Sequence, residues 1–199
     1  MTHIHEDKHD DQFLVKRVLD GDTSAFSIII RNTERLVTQI IFKMIATEED
    51  RKDLAQEVYL KAFKNLKGFQ FQSKLSTWIA QITYNACINH LRKKKLTLVD
   101  NDAWELDDTE ILQSKEHSAW NEMESFILNK EMIRILQFEI EKLPSLYKTI
   151  ITLYHNEELS YKEITEITGL PAGTLKNYLF RARKILRDRI ALHYKKEPL

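Results

Sequence analysis

Two sets of side chains in this 199-residue chain are of types that handle nucleic acid. The first is the run Gly68-Phe69-Gln70-Phe71-Gln72-Ser73-Lys74, followed closely by Trp78 and, further along, by Arg92, Lys93, Lys94 and Lys95. Aromatic faces stack on unpaired bases at about 1–3 kcal/mol per base, and cations beside them track the phosphate backbone. A base turned out of a duplex also needs an amide to read its edge, and Asn85 lies on the following segment within reach. Phe69 and Trp78 are equally of the type that fills a core. That reading is preferred for Trp78 and not for Phe71. The second set is Lys176, Asn177, Phe180, Arg181 and Lys184, with Thr174 just ahead of them. An amide and an aromatic are poor choices for solubility, but among cations they can touch base edges and thymine methyls in a groove.

The second set needs a rigid helix to carry it, and the local sequence supplies one. Residues 160–187 read SYKEITEITGLPAGTLKNYLFRARKILR. Ser160 and Glu163 fit a capping box that opens a short helix, and Gly169 suits a left-handed stop. Leu175, Leu179, Ala182 and Leu186 recur at helical spacing and turn inward, which leaves the basic set on another face. This is a helix-turn-helix pattern, whose second helix can enter the major groove.

The first set needs a bundle. Asp22, Thr23 and Ser24 are good N-cap types for a long amphipathic helix through Phe26, Ile29, Ile30, Leu36, Val37, Ile40, Ile41, Met44 and Ile45. Phe13, Leu14, Val18 and Leu19 mark a shorter helix before it. A third helix from about Asp50 turns Leu54, Val58, Tyr59, Ala62, Phe63 and Leu66 inward until Gly68 breaks it. Its opposite side carries a small acidic and polar patch of Asp53, Gln56 and Glu57. Leu75, Trp78, Ile79, Ile82 and Ala86 begin a fourth helix that ends in the cationic run. Later, Ile127, Leu128, Ile133, Ile135 and Leu136 begin another helical segment, and Pro144 suits the first turn of the next.

Charge divides the chain in the same places. The formal net charge is +0, yet residues 51–95 hold ten cations against Asp53 and Glu57, and residues 171–196 hold eight against Asp188. Between them, residues 100–124 carry nine acids against Lys115. Basic modules of this kind bind polyanions with an affinity that falls steeply with salt. The expected fold is all-α: a polar tail over 1–12, a four-helix module over 13–96, an acidic linker over 97–126 and a helix-turn-helix module over 127–195. Few glycines and prolines leave little room for sheet.

Several function classes have nothing to stand on. No apolar run is long enough to cross a bilayer, and the polar start MTHIHEDKHDDQ lacks a secretory signal's hydrophobic stretch, which points to a cytoplasmic protein without membrane insertion. The single Cys87 reads as a small buried residue. His3, His5 and His9 beside Glu6, Asp7, Asp10 and Asp11 read as a polar terminus rather than a metal site. With no Gly-rich phosphate loop, nucleophile elbow or HExxH string, no catalytic residue, metal or cofactor is assigned, and an enzyme is not expected.

The strings KDLAQEVYLKAFKNLKGF (52–69) and LSTWIAQITYNACINHLRKKK (75–95) resemble region two of the sigma factors of bacterial RNA polymerase, in the small two-domain extracytoplasmic-function (ECF) group. KLPSLYKTIITL (142–153) with SYKEITEITGLPAGTLKNYLFRARKIL (160–186) resembles region four, in the right order. The resemblance implies a transcription initiation factor that binds core RNA polymerase and directs it to promoters. In this reading Asp53, Gln56 and Glu57 meet the clamp helices of the largest subunit, and region four meets the flap. Phe69, Asn85 and the loop from Gln70 to Lys74, with Trp78 nearby, hold a base flipped from the minus-ten element, and Arg92, Lys93 and Lys94 contact its backbone. Lys176, Asn177, Phe180 and Arg181 read the minus-thirty-five element, with Lys184 beside them and amides near Thr174 gripping phosphate. An anti-sigma factor is implied as a further partner.

This chain departs from the family in places. Where the recognition helix commonly reads GTVKSR, Asn177 and Tyr178 replace Ser and Arg; Leu75 stands where Phe is common, and Phe71 is unusual in the loop. An altered promoter motif is therefore expected. The alternative reading is an operator-binding helix-turn-helix regulator that acts on duplex DNA without polymerase.

Overall fold

The computed structural model describes residues 3–97 and 130–195, and every regular element among them is helical. The front module comprises α1 (His3–Leu19), α2 (Thr23–Met44), α3 (Glu48–Asn65) and α4 (Leu75–Thr97), with a 3₁₀ turn over Leu66–Gly68. The rear module comprises α5 (Lys130–Glu141), α6 (Ser145–His155), α7 (Tyr161–Thr168) and α8 (Ala172–Lys195). The acidic stretch of 100–124, with Ile127 and Leu128, lies outside the described residues.

Caps set where the helices begin. Asp22 is the N-cap of α2, and its Oδ1 accepts from the backbone N–H of Ser24 and Ala25 at 2.9 and 3.3 Å. The Ser24 hydroxyl, together with Arg17, holds the Asp22 carboxyl down at about 2. The start of α4 is capped from a distance, because the Asp11 carboxylate accepts from Leu75 N–H at 2.8 Å across the bundle. Asp11 falls in the segment expected to be a polar tail; α1 in fact runs back to His3.

Apolar spacing decides what is buried. Ile29, Val37, Ile40 and Ile41 of α2 face Leu54, Val58 and Ala62 of α3 and Ile79, Ala80 and Cys87 of α4 in a dry interior. Each large aliphatic side chain taken fully from water contributes about 1.5–3 kcal/mol, enough to order helices that would be marginal alone. Burial pushes the Cys87 thiol up to about 12, so it is an inert packing group. Phe63 departs from the expected pattern: it is exposed and meets Phe26 edge-on, with ring centroids 5.0 Å apart.

In the rear module Ile150, Ile151, Leu153, Ile164, Ile167, Leu175, Leu179, Ala182 and Leu186 form the core. Glu139 is only 2% exposed and is neutralised by Lys142 at 2.8 Å and Arg189 at 3.6 Å, which ties α5 to the end of α8. Pro144 stands at the N-cap of α6, one position ahead of its first turn.

The two modules pack against each other, α6 on α2 and α7 on α4. Arg35 pairs with Glu157 at 3.3 Å and donates to the Asn156 carbonyl at 3.1 Å; Lys43 pairs with Glu141, and Lys74 with Glu163 at 3.3 Å. In each pair one side chain is mostly buried and its partner exposed, so solvent screens them only in part.

Candidate nucleic-acid interface

The loop after α3 is shaped by one residue with an uncommon backbone. Phe71 sits at φ 56, a left-handed conformation that a bulky side chain occupies only when its surroundings hold it there. Its ring is held against Phe69 at 4.7 Å, and Phe69 in turn lies 5.1 Å from Trp78. Phe69 is the most deeply seated of the three at 8% exposure, whereas Phe71 and Trp78 are half-buried. The loop thus follows a small aromatic stack that anchors it to α4.

In front of this stack lies a pocket of about 340 Å³ lined by Gly68, Phe69, Gln70, Gln72, Ser73, Thr77, Trp78, Gln81 and Glu166. Its size admits one flat heteroaromatic group. Its lining offers the rings of Phe69 and Trp78, the amides of Gln70, Gln72 and Gln81, the hydroxyls of Ser73 and Thr77 and the carboxylate of Glu166. Gln72 donates to Gln70 Oε1 at 2.9 Å, which fixes the two amides relative to each other. Neither Phe71 nor Lys74 lines the pocket: Phe71 lies against Phe69, and Lys74, next to Ser73 of the lining, pairs with Glu163. Trp78, read from sequence chiefly as core, contributes to the pocket wall.

Asn85 is exposed and lies one turn of α4 beyond Gln81, outside the pocket lining. The helical period places Trp78, Gln81, Asn85, Asn89 and Arg92 along one face, so an amide track leads from the pocket to exposed Arg92, Lys93 and Lys94. From Gln81 to Arg92 the track spans about 16 Å at 1.5 Å per residue. Thr77, Gln81 and Asn89 were not picked out in the sequence. The one available signal for Gln81 was its place between Trp78 and Asn85 on that face.

The patch on α3 is solvent-facing throughout: Asp53, Gln56 and Glu57 are all exposed, with Glu57 paired to Lys61 at 2.5 Å. Leu60 and Phe63 are exposed on the same side, at 60% and 46%. Their apolar area beside the acids is what a protein partner would cover.

The rear module presents its site in a different manner. The capping box is complete: Glu163 N–H donates to Ser160 Oγ at 3.2 Å, and Ser160 N–H donates to Glu163 Oε2 at 2.9 Å. Gly169 closes α7 at φ 72, and α8 begins after Pro171. On α8, Lys176, Asn177, Phe180 and Lys184 are exposed, and Thr174 and Arg181 are half-buried. Tyr178 turns inward, 7% exposed, with its ring 5.5 Å from Tyr147. Of the two departures from GTVKSR, only Asn177 therefore faces solvent.

A two-module helical chain with an aromatic and amide pocket in front and a basic recognition helix behind belongs to the class of promoter-reading proteins. The sigma-70 region 2 family model matches residues 29–97, and the sigma-70 region 4 model matches residues 133–186. The chain is 33% identical over 183 residues to the ECF RNA polymerase sigma factor SigW of Bacillus subtilis, covering 88% of this chain and 94% of that one. It is 32% identical over 185 residues to the ECF RNA polymerase sigma-E factor of Haemophilus influenzae, covering 90% and 95%. Among solved structures it is similar in fold to CnrH in complex with the cytosolic domain of CnrY, with a TM-score of 0.60, 18% identity and coverage of 94% and 99%. It is likewise similar to the sigma factor RpoE of Bartonella quintana in complex with the anti-sigma factor NepR, with a TM-score of 0.59, 17% identity and coverage of 83% and 96%. The chain belongs to the sigma-70 family of RNA polymerase sigma factors, in its extracytoplasmic-function group. It is a transcription initiation factor, and the reading as a polymerase-independent operator-binding regulator is not favoured.

Proposed function

We propose that the front module opens the minus-ten element by capturing one flipped base of the non-template strand in the Phe69, Gln70, Gln72, Ser73, Thr77, Trp78 and Gln81 pocket. The gathering of two rings, three amides and two hydroxyls in one pocket is the observation that carries this reading. Unstacking a base costs a few kcal/mol, and the pocket offsets that only when the base fits, so recognition and melting are one event. Asn85 and Asn89 then guide the neighbouring nucleotides, and Arg92, Lys93 and Lys94 hold their phosphates. Phe71 acts through Phe69 as a positioning residue.

Asp53, Gln56 and Glu57, extended by Leu60 and Phe63, form the docking patch for the clamp helices of the largest polymerase subunit, and the rear module meets the flap. Lys176, Asn177, Phe180 and Arg181 enter the major groove of the minus-thirty-five element, flanked by Lys184. The amides of the first turn of α8 near Thr174 grip a phosphate. The protein acts in the cytoplasm, where the polymerase is, and no helix among the described residues is long and apolar enough to cross a membrane. An anti-sigma factor is a fitting partner, since the solved structures similar in fold include such a complex. Run-off transcription with core polymerase on a genomic promoter library tests the whole reading. Transcripts sharing an upstream and a minus-ten motif are expected, and no sigma-dependent transcript with active core enzyme would overturn it.

A further inference from the structure

The loop that supplies much of the pocket, Phe69 to Lys74, is held at both ends by the same helix. At its entry α1 packs on the 3₁₀ turn Leu66–Gly68, and at its exit the Asp11 carboxylate accepts from the Leu75 N–H at 2.8 Å. Asp11 stands one turn ahead of Val15 and two ahead of Val18, on the face of α1 that those residues bury in the bundle. A carboxylate on such a face is costly unless it is bonded, and the start of α4 supplies the donor.

That start has no cap of its own. Lys74 is the N-cap, since its carbonyl accepts from Trp78 N–H at 3.1 Å, but a lysine side chain offers no acceptor and brings a cation to the positive end of the helix. Ser73 directs its hydroxyl to the Lys74 carbonyl at 3.2 Å. Asp11 therefore provides, from 64 positions away, both the acceptor and the negative charge that the local sequence withholds. The pocket depends on this junction. Thr77, Trp78 and Gln81 come from the first two turns of α4, whereas Phe69, Gln70, Gln72 and Ser73 come from the loop. Phe71, at φ 56, keeps its left-handed backbone only while the two ends of the loop stay fixed.

We propose that Asp11 is a positioning residue for promoter opening: by fixing Leu75 against α1, it sets the separation between the loop side and the helix side of the base pocket. The inference rests on the base-capture reading and adds α1 to the elements on which minus-ten selectivity depends. Asp11 itself touches no DNA in this scheme. Its effect reaches the strand only through Leu75 and the first turn of α4. It therefore alters which bases are accepted, and not how the chain meets polymerase or the upstream duplex.

The test compares the full-length wild type with Asp11→Ala, Asp11→Asn and, as a control expected to match the wild type, Asp10→Ala at the exposed position just before. Each is assayed with core polymerase by run-off transcription on the same genomic promoter library. Asp11→Ala is expected to lower output about fivefold, the order of a lost helix cap, and to blur the minus-ten motif of the transcribed set. The upstream motif and the affinity for core polymerase should stay as in the wild type. Asp11→Asn keeps an oxygen that can accept, and Asn caps about as well as Asp, so its output should return to within about twofold of the wild type with the motif intact. A loss of stability alone would reduce all promoters in proportion and leave the motif unchanged. Hydrogen exchange of the wild type gives a second reading that does not need the Ala variant to fold. The Leu75 amide is expected to be protected, whereas the first amides of an uncapped helix exchange freely. Asp11→Ala indistinguishable from Asp10→Ala, a uniform loss with an unchanged minus-ten motif, no recovery with Asp11→Asn, or a freely exchanging Leu75 amide would each overturn the proposal. Any of these beside wild-type transcripts that share a minus-ten motif removes the role of Asp11 alone. A wild type that yields no such motif with active core enzyme removes the base-capture reading beneath it.

Discussion

The two DNA-reading surfaces solve opposite problems. The region four helix is convex and its proposed readers Lys176, Asn177, Phe180 and Lys184 are exposed, so each can be exchanged with little effect on the core beneath. The region two pocket is concave, and its lining residues Phe69, Trp78 and Thr77 also take part in the packing. Duplex DNA displays its information outward in the major groove, so a helix need only be presented to it. A flipped base has to be enclosed, and enclosure requires several elements to converge. With the proposed sites as readers, the difference teaches that promoter preference can drift at region four without loss of fold, whereas region two ties specificity to stability.

The largest effect that would sharpen this contrast comes from truncating the aromatic anchor. Phe69→Ala should cost about 3–5 kcal/mol of front-module stability, as expected for a buried ring, with strand opening lost as well. Phe180→Ala should stay within about 0.5 kcal/mol of the wild type while weakening upstream-element recognition. Thermal denaturation of both variants reads the difference, and equal losses would break the comparison.

Next come the readers themselves. Arg181→Ala should reduce transcription from promoters that depend on the upstream element by about 1–3 kcal/mol in free-energy terms, without changing strand opening once the complex has formed. A variant with unaltered promoter preference would remove Arg181 from the reader set. Gln81→Ala should impair open-complex formation more than Asn85→Ala, because Gln81 lines the pocket and Asn85 lies one turn beyond it; neither should alter affinity for core polymerase. Permanganate footprinting of promoter thymines distinguishes them, and normal melting by both would remove the amide track.

A smaller effect is expected from acid. Burial favours the protonated form of Glu163, but the Ser160 bonds and the charge of Lys74 prevail and hold its carboxyl below the ordinary 4.5. A depressed acid stabilises the form in which it is ionised. Its contribution, chiefly to the capped start of α7 and less to the pair with Lys74, is present above 4.5 and should be lost as pH falls through the lowered value. Thermal stability should therefore fall on acidification below the usual carboxylate range and be unchanged on this account between neutral and mildly alkaline pH, as denaturation scans across that range would read. Smallest of all is Phe71→Gly. Relief of a left-handed backbone, about 1–3 kcal/mol, is set against lost stacking on Phe69, about 0.5–1.5 kcal/mol, and the lost burial of a half-buried ring, about 1 kcal/mol, so stability should barely move while the pocket loses its backing. A large loss of stability would place Phe71 in the core proper.

Much of this was legible because it depends on neighbours in sequence. The Ser160–Glu163 capping box, the left-handed Gly169, the Asp22 cap and the inward stripe of Leu175, Leu179, Ala182 and Leu186 follow from periods and turn chemistry within a few residues. The misreadings came where two elements meet. Phe63 sits on the margin of the α3 apolar stripe, and only the position of Phe26 shows that it stays exposed. Tyr178 was marked only as a departure from the family string, and its place against Tyr147 shows it to be a packing residue. Asp11 lies in a segment with no apolar period, so nothing local marked it as the cap of a helix that starts 64 positions later.

What the chain's order of residues determined by itself was the set of helices, their caps, their buried faces and the family to which they belong, because helical period and capping are short-range physics. What only the tertiary structure decided was which side chains share a cavity. Gln81 joins Phe69 through the turn that sets α4 against the loop, and Glu166 joins both through the docking of α7 on α4, 85 residues further along the chain than Gln81. Contacts at that separation are set by how modules pack, and no local pattern encodes them.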